Sequence, residues 1–164
     1  MNHMAGSSLV VLLSYHNKNT EKIAKVIAEV INAQIKTPQQ VSPDEITKYD
    51  LIGFGSGIYD SHHHMMILDL VDQIPRVENK KAFIFSTFGA PKFIANEKFI
   101  LKNHFMLREK LQKKGFQIIG EFGCAGLNTN SFLKKFGGLN KGRPDTEDLK
   151  RAEQFAHDIM KRGV

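Results

Sequence analysis

Three short stretches of this chain carry hydroxyl, amide, imidazole and glycine residues dense enough to bind a ligand. The first is Ser14-Tyr-His-Asn-Lys-Asn-Thr20. It stands between the apolar run Leu9–Leu13 and a helical pattern, so backbone N–H groups and the positive end of the helix dipole point outward together. Such a place favours a phosphate, with the hydroxyl and amide side chains as hydrogen-bond partners and Lys18 as a charge. The same residues could also do no more than cap the helix. Neither GxxxxGK(S/T) nor GxGxxG occurs there, which excludes a nucleoside-triphosphate loop and a dinucleotide fingerprint at this position. The other two stretches are Gly55-Ser-Gly-Ile-Tyr59 and Ser86-Thr-Phe-Gly-Ala-Pro91. In these, Tyr59 and Phe88 offer rings that can stack on a flat heterocycle.

Two further features invite chemistry. His62-His63-His64 resembles a metal cluster, but three consecutive side chains cannot all point at one ion from regular structure, and no Cys or further His stands at zinc-like spacing. The reading is a solvated loop beside the ligand, from which one imidazole could touch the ligand or relay a proton. Cys124, the single cysteine, has no legible Cys/His/Asp arrangement around it and is expected to be a small, half-buried residue near the site.

The elements that must position these loops alternate between apolar runs and helical patterns, the signature of parallel βαβ units. Leu9–Leu13 reads as a strand buried on both faces. Ile23, Val26, Ile27, Val30 and Ile31 then recur at helical spacing. A weaker strand at 34–37 precedes Ser42-Pro-Asp-Glu45, a helix start or turn. Asp50–Phe54 is the next strand, and Met65–Ile74 is an amphipathic helix stopped at Pro75. Ala82–Phe85 is a strand. Lys98–Lys114 reads as a helix burying Leu101, Leu107 and Leu111, with Gly115 as its C-terminal cap. Phe116–Phe122 is the last strand. A glycine-rich link, Gly137–Pro144, leads to a helix with Leu149, Ala152, Ala156 and Ile159 on one face. Phe99, Phe105, Phe116 and Phe122 are assigned to the core. Right-handed crossovers would bring the loops at 14–20, 55–61 and 86–91 to one carboxyl edge of the sheet, where open α/β sheets bind ligands.

With 164 residues, the chain suits one domain, read as a flexible tail over residues 1–7 and a single domain over 8–164. The absence of a secretory signal or a long apolar run predicts a cytoplasmic protein without stable membrane insertion. The net charge of +6 is concentrated in one block: between Lys98 and Arg143, 10 Lys/Arg face only Glu109 and Glu121, a net +8. A basic face can attract a phosphorylated ligand or an acidic protein. Nucleic acid is not expected, because no recognition motif or aromatic platform accompanies the charge.

Ser14–Ala28 (SYHNKNTEKIAKVIA) resembles the phosphate-binding segment of flavodoxins. Tyr49–Tyr59 is similar to the family's third strand and following loop, Lys81–Thr87 to its fourth strand, and Asn140-Lys-Gly-Arg-Pro-Asp145 with Asp148-Leu149 to the lead into its last helix. The resemblance implies a flavodoxin-like three-layer α/β sandwich with a five-stranded parallel sheet of order 2-1-3-4-5, non-covalent FMN, and the short-chain form of the family. It assigns the 5′-phosphate to Ser14, His16, Asn17, Lys18, Asn19 and Thr20. The flavin ring falls to Ser56, Gly57, Ile58 and Tyr59 and to Thr87, Phe88 and Gly89. Lys18 stands where the family usually has glycine. The implied function is one-electron transfer between redox partner proteins, the basic block favouring partners with an acidic docking face. Lys134, Lys135, Lys141 and Arg143 are taken to steer them. The runner-up is an FMN-dependent oxidoreductase of the NAD(P)H, quinone or protoporphyrinogen type on the same fold.

Overall fold

A computed structural model describes residues 6–15, 18–126 and 140–163. Among the described residues, six strands and five α-helices follow one another as β1 (Ser8–Leu13), α1 (Asn19–Ile31), β2 (Gln34–Lys36), α2 (Pro43–Ile46), β3 (Leu51–Tyr59), β4 (His62–His63), α3 (Met65–Gln73), β5 (Lys81–Phe88), α4 (Glu97–Lys113), β6 (Gln117–Ala125) and α5 (Thr146–Gly163). Five strands pair in parallel in the order β2-β1-β3-β5-β6, which is the expected 2-1-3-4-5 once the short antiparallel β4 is set aside.

The sheet is apolar on both faces because helices cover both. On one face Leu9, Val11, Ile52, Phe54, Ala82 and Ile84 meet Ile67, Leu68 and Val71 of α3 and Leu107 and Leu111 of α4. On the other, Val10, Leu12, Phe83 and Phe85 meet Ile23, Ala24 and Ile27 of α1 and Ala152, Ala156 and Ile159 of α5. Each fully buried aliphatic or aromatic side chain contributes about 1.5–3 kcal/mol. Gly53 and Gly55 admit the rings of Phe83 and Phe85: a Cβ on either would lie 2.2 Å from a ring carbon.

Local signals hold at several ends. The Ser42 hydroxyl accepts Glu45 N–H at 3.1 Å and caps α2. Gly115 follows α4 at φ +99°, where a Cβ would meet the Val77 carbonyl oxygen at 2.1 Å. Of the tail, residues 1–5 lie outside the described residues, and Ser7 is tied down by Asp50 N–H on its carbonyl at 2.9 Å.

Helix α4 corrects the sequence reading. Its inward stripe is Asn103, His104, Leu107 and Leu111, so Leu101 is exposed and Phe105 is 58% exposed. Phe105 lies under the Arg108 guanidinium instead, 5.8 Å from ring centroid to Cζ. Phe116 and Phe122 are buried as expected.

Candidate functional site

The carboxyl ends of β1, β3, β5 and β6 reach one level: Leu13 pairs with Ser56, Ser56 with Ser86, and Ser86 with Gly123. Strand order reverses between β1 and β3, the place where open α/β sheets leave a crevice. The first loop enters α1 there. Lys18 holds a left-handed conformation (φ 53°, ψ 33°) and gives α1 no side-chain cap. That backbone is the one glycine adopts freely and lysine only at a cost of about 1–2 kcal/mol. Ser14 instead turns its Oγ to accept Glu21 N–H at 3.2 Å. In the first turn of the helix, the hydroxyls of Thr20 and Thr87 share a buried hydrogen bond of 2.7 Å, which joins the first loop to the end of β5. Asn19 packs so closely on Gly126, after β6, that a Cβ there would lie 2.5 Å from its side-chain nitrogen. His16 and Asn17 lie outside the described residues.

The second stretch is a hairpin rather than an open loop. β3 continues through Tyr59, turns at Asp60 and Ser61 (φ 50° and 67°) and returns as β4, with Ile58 opposite His63 and Tyr59 opposite His62. Two consecutive positive φ values give a turn whose twist suits a two-residue hairpin. Ser56 is fully buried; its Oγ accepts His64 N–H at 3.0 Å and donates to the Gly57 carbonyl at 2.7 Å. The His64 ring caps α3 by accepting Met66 N–H at 3.1 Å. Tyr15 and Tyr59 meet it edge-on, at 5.6 and 5.4 Å between centroids. Burial and then Tyr15 raise the Tyr59 phenol above its ordinary range.

In the third stretch Phe88 closes β5 instead of lying in the loop after it. Pairing with Ala125 holds it in the sheet, its ring meets Phe99 edge-on at 5.3 Å, and only 6% of it is exposed. Its ring therefore offers no stacking face. Thr87 is likewise buried, by its bond to Thr20, and Gly89 follows at the rim. The Asn140 amide bridges this rim by donating to the carbonyls of Ala90 and Gly126 at 3.0 and 3.2 Å. Arg143 does not present its charge. It is 12% exposed and forms an ion pair with buried Asp148, its Nε 2.5 Å from Oδ2. Lys134 and Lys135 lie outside the described residues. Cys124 is buried rather than half-buried, and its thiol is pushed up to about 12, chiefly by burial and next by Asp148.

The histidine run is not a solvated loop. β4 turns His63 fully inward, where its Nε2 lies 3.0 Å from the Phe85 carbonyl oxygen. A carbonyl only accepts, so Nε2 carries the proton. Its ring centroid is 4.9 Å from that of His104. His104 Nδ1 lies 3.2 Å from a Glu121 carboxylate oxygen and Nε2 lies 2.6 Å from Ser86 Oγ. The carboxylate fixes the tautomer: Nδ1–H donates to Glu121 and Ser86 donates to Nε2. Arg108 grips both Glu121 oxygens at 2.8 and 3.0 Å. Burial raises Glu121, but His104 and Arg108 outweigh it and hold the carboxyl below its usual range. Burial lowers His104, partly offset by Glu121. His63 is pushed down to about 3 by burial, then by His104. The Ser–His–Glu order is that of a hydrolytic triad, yet Ser86 is buried within β5 and no carbonyl substrate can reach it. Sequence reasoning missed this cluster because its members come from β4, β5, α4 and β6. Among the described residues, no group of three or more His, Cys, Asp or Glu is placed to hold a metal ion, and no helix is long and apolar enough to cross a membrane.

A parallel sheet of this order, reversing between β1 and β3, defines a flavodoxin-like protein. The sequence model of the flavodoxin domain matches residues 11–130, and the chain belongs to that family. An uncharacterized protein of Methanocaldococcus jannaschii is 51% identical over 156 residues, which cover 94% of this chain and 98% of that one. A solved flavodoxin from the domain Archaea superposes with a TM-score of 0.69 at 17% identity, covering 96% of this chain and 98% of its own. A Fusobacterium nucleatum flavodoxin bound to flavin mononucleotide superposes with a TM-score of 0.64 at 14% identity, covering 94% and 98%.

Proposed function

We propose that the chain is a carrier of single electrons that holds FMN across the carboxyl edge of its sheet. The observation that carries this reading is the junction of loop one with β5: an α1 N-terminus left uncapped by its own cap residue, Lys18, next to the paired hydroxyls of Thr20 and Thr87. Outward N–H groups, a cation and hydroxyls suit a phosphate monoester. In this reading Ser14, His16, Asn17, Lys18, Asn19 and Thr20 hold the phosphate. Ser56, Gly57, Ile58 and Tyr59 line one side of the flavin ring, and Thr87 and Gly89 bound the other. Phe88 acts there through its backbone. Bound FMN supplies the electron chemistry, and the protein's part is to hold and orient it.

Redox partner proteins with an acidic docking face suit Lys141, which is exposed, together with the exposed Lys98 and Lys102 on α4. Lys110 and Lys113 contribute less, since they are engaged with Asp72 and Glu109. A cytoplasmic location accords with a soluble carrier. Adding FMN to the purified protein and following NADPH oxidation with and without an acceptor tests the proposal. The expected result is a yellow protein that passes electrons between partner proteins but does not itself oxidise NADPH. Turnover of NADPH, a quinone or protoporphyrinogen by the FMN-loaded protein would instead make it an oxidoreductase. A protein that stays colourless overturns both readings.

A further inference from the structure

Asn140, on the approach to α5, ties together two strand ends that lie 50 and 14 positions away in the chain. Its side-chain nitrogen is 3.0 Å from the Ala90 carbonyl oxygen and 3.2 Å from that of Gly126. Both neighbours only accept, and an amide NH2 has two hydrogens to give, so the orientation of the side chain is fixed. Ala90 precedes Pro91, whose nitrogen carries no hydrogen. The Ala90–Pro91 peptide can therefore be held only through its carbonyl, and Asn140 holds it.

Of the two strand ends, Gly126 is the fixed one. Its N–H donates to the Phe88 carbonyl at 2.9 Å, and Asn19 packs against it. Ala90 lies on the other side, directly after Thr87 and Gly89, which bound the flavin ring in the reading above. The donor itself stands on a rigid base. Asn140 holds a left-handed backbone at φ 57°, which asparagine tolerates better than most residues, and its carbonyl accepts Arg143 N–H at 3.0 Å. Arg143 is paired with buried Asp148. Asp145 and Asp148 each accept the other's backbone N–H at 2.9 Å, a reciprocal cap that fixes the turn to the start of α5.

We propose that Asn140 is a positioning residue for the flavin ring: its two hydrogen bonds hold the Gly89–Ala90 rim against Gly126 before the ring arrives. This rests on the FMN reading and extends it to a residue that needs no contact with FMN. A loop ordered in advance spares binding the entropy of ordering it. Two ordinary hydrogen bonds are together worth about thirtyfold in an equilibrium constant, which sets the scale of the effect.

The test titrates riboflavin and FMN, followed by flavin fluorescence, into flavin-free wild type, Asn140→Ala and Asn140→Asp. Because the rim serves the ring, Asn140→Ala is expected to weaken both ligands by the same factor, about tenfold. Asn140→Asp keeps the shape but turns a carboxylate toward two carbonyl oxygens, and at pH 7 it is expected to weaken both at least as much. Those oxygens favour the protonated carboxyl, which can donate to one of them. The affinity of Asn140→Asp relative to the wild type at the same pH should therefore recover between pH 7 and pH 5. The charged neighbours on this turn, Lys141, Arg143 and Asp145, are the same in all three proteins. Hydrogen exchange in the flavin-free proteins gives a second measure: the Gly89 and Ala90 amides should exchange faster in Asn140→Ala, and the amides of α5 should not. Unchanged affinity for both flavins, a loss confined to FMN, or equal exchange at the rim overturns the inference while leaving the FMN reading in place. Should Asn140→Ala fail to fold, the pH recovery of Asn140→Asp decides. A wild type that binds neither flavin overturns the FMN reading, and the inference with it.

Discussion

Acid should weaken this fold through His63 before its carboxylates become protonated. The side chain is fully buried and its folded-state value is about 3, against about 6.5 in an unfolded chain. The fold thus prefers the neutral ring, so the stability this contributes is complete above pH 6.5 and is lost as pH falls toward 3. pH 5 lies about 1.5 units below the value of the unfolded imidazole, which is therefore protonated, while the folded one is still neutral. At about 1.36 kcal/mol per unit, His63 alone costs about 2 kcal/mol relative to pH 7. His104, also lowered by burial, acts in the same direction. Urea unfolding at pH 7 and pH 5, for the wild type and for His63→Gln, measures this directly. The wild type should lose about 2 kcal/mol more than the variant between the two values. Equal losses would mean that His63 is charged or solvated in the fold, and the account of the cluster would fail.

Other substitutions probe the site and its frame. Thr20→Ala combined with Asn19→Ala should weaken FMN far more than riboflavin, by about 1.5–3 kcal/mol for each hydrogen bond lost to the phosphate; equal loss in fluorescence titrations of both ligands would move the phosphate elsewhere. Lys18→Gly should raise the unfolding free energy by about 0.5–1 kcal/mol, since relief of the left-handed backbone at φ 53° exceeds the extra chain entropy of glycine, while FMN affinity falls with the lost charge. Gly55→Ala places a methyl group 2.2 Å from the Phe85 ring and should cost about 3 kcal/mol, read as a lower melting temperature; an unchanged melting temperature would show that the sheet face is looser than its packing implies.

The parts legible in the sequence were those written in local chemistry. The continuous apolar run of β1, the spacing of Ile23, Ile27 and Ile31, the Ser42 cap and Gly115 after α4 each announce their structure within a few residues. The β3–β4 hairpin is hidden in the sequence because its turn is Asp60-Ser61, without the glycine that usually marks such a turn, and because the apolar run of β3 ends at Phe54 before Gly55-Ser-Gly57. Helix α4 misled because two stripes compete on it. Leu101 with Phe105 is the more apolar, but the stripe that faces the sheet contains Asn103 and His104, whose polar atoms are satisfied by the Phe99 carbonyl and by Ser86 and Glu121. Nothing local reveals a pairing of His63 with His104 across 41 positions of chain, so the most unusual feature of the interior appears only once β4, β5, α4 and β6 are assembled.

The central claim is that one FMN lies across the carboxyl edge, with its phosphate at α1 and its ring beside the hairpin. Backbone amide shifts followed by NMR during an FMN titration test it most directly. The account predicts saturation at one FMN per chain, with the largest changes at Ser14, at Lys18–Thr20, at Ser56–Tyr59 and at Thr87–Gly89, and with riboflavin sparing the first two groups. Changes centred on the amino ends of the strands, or none at all, would contradict it.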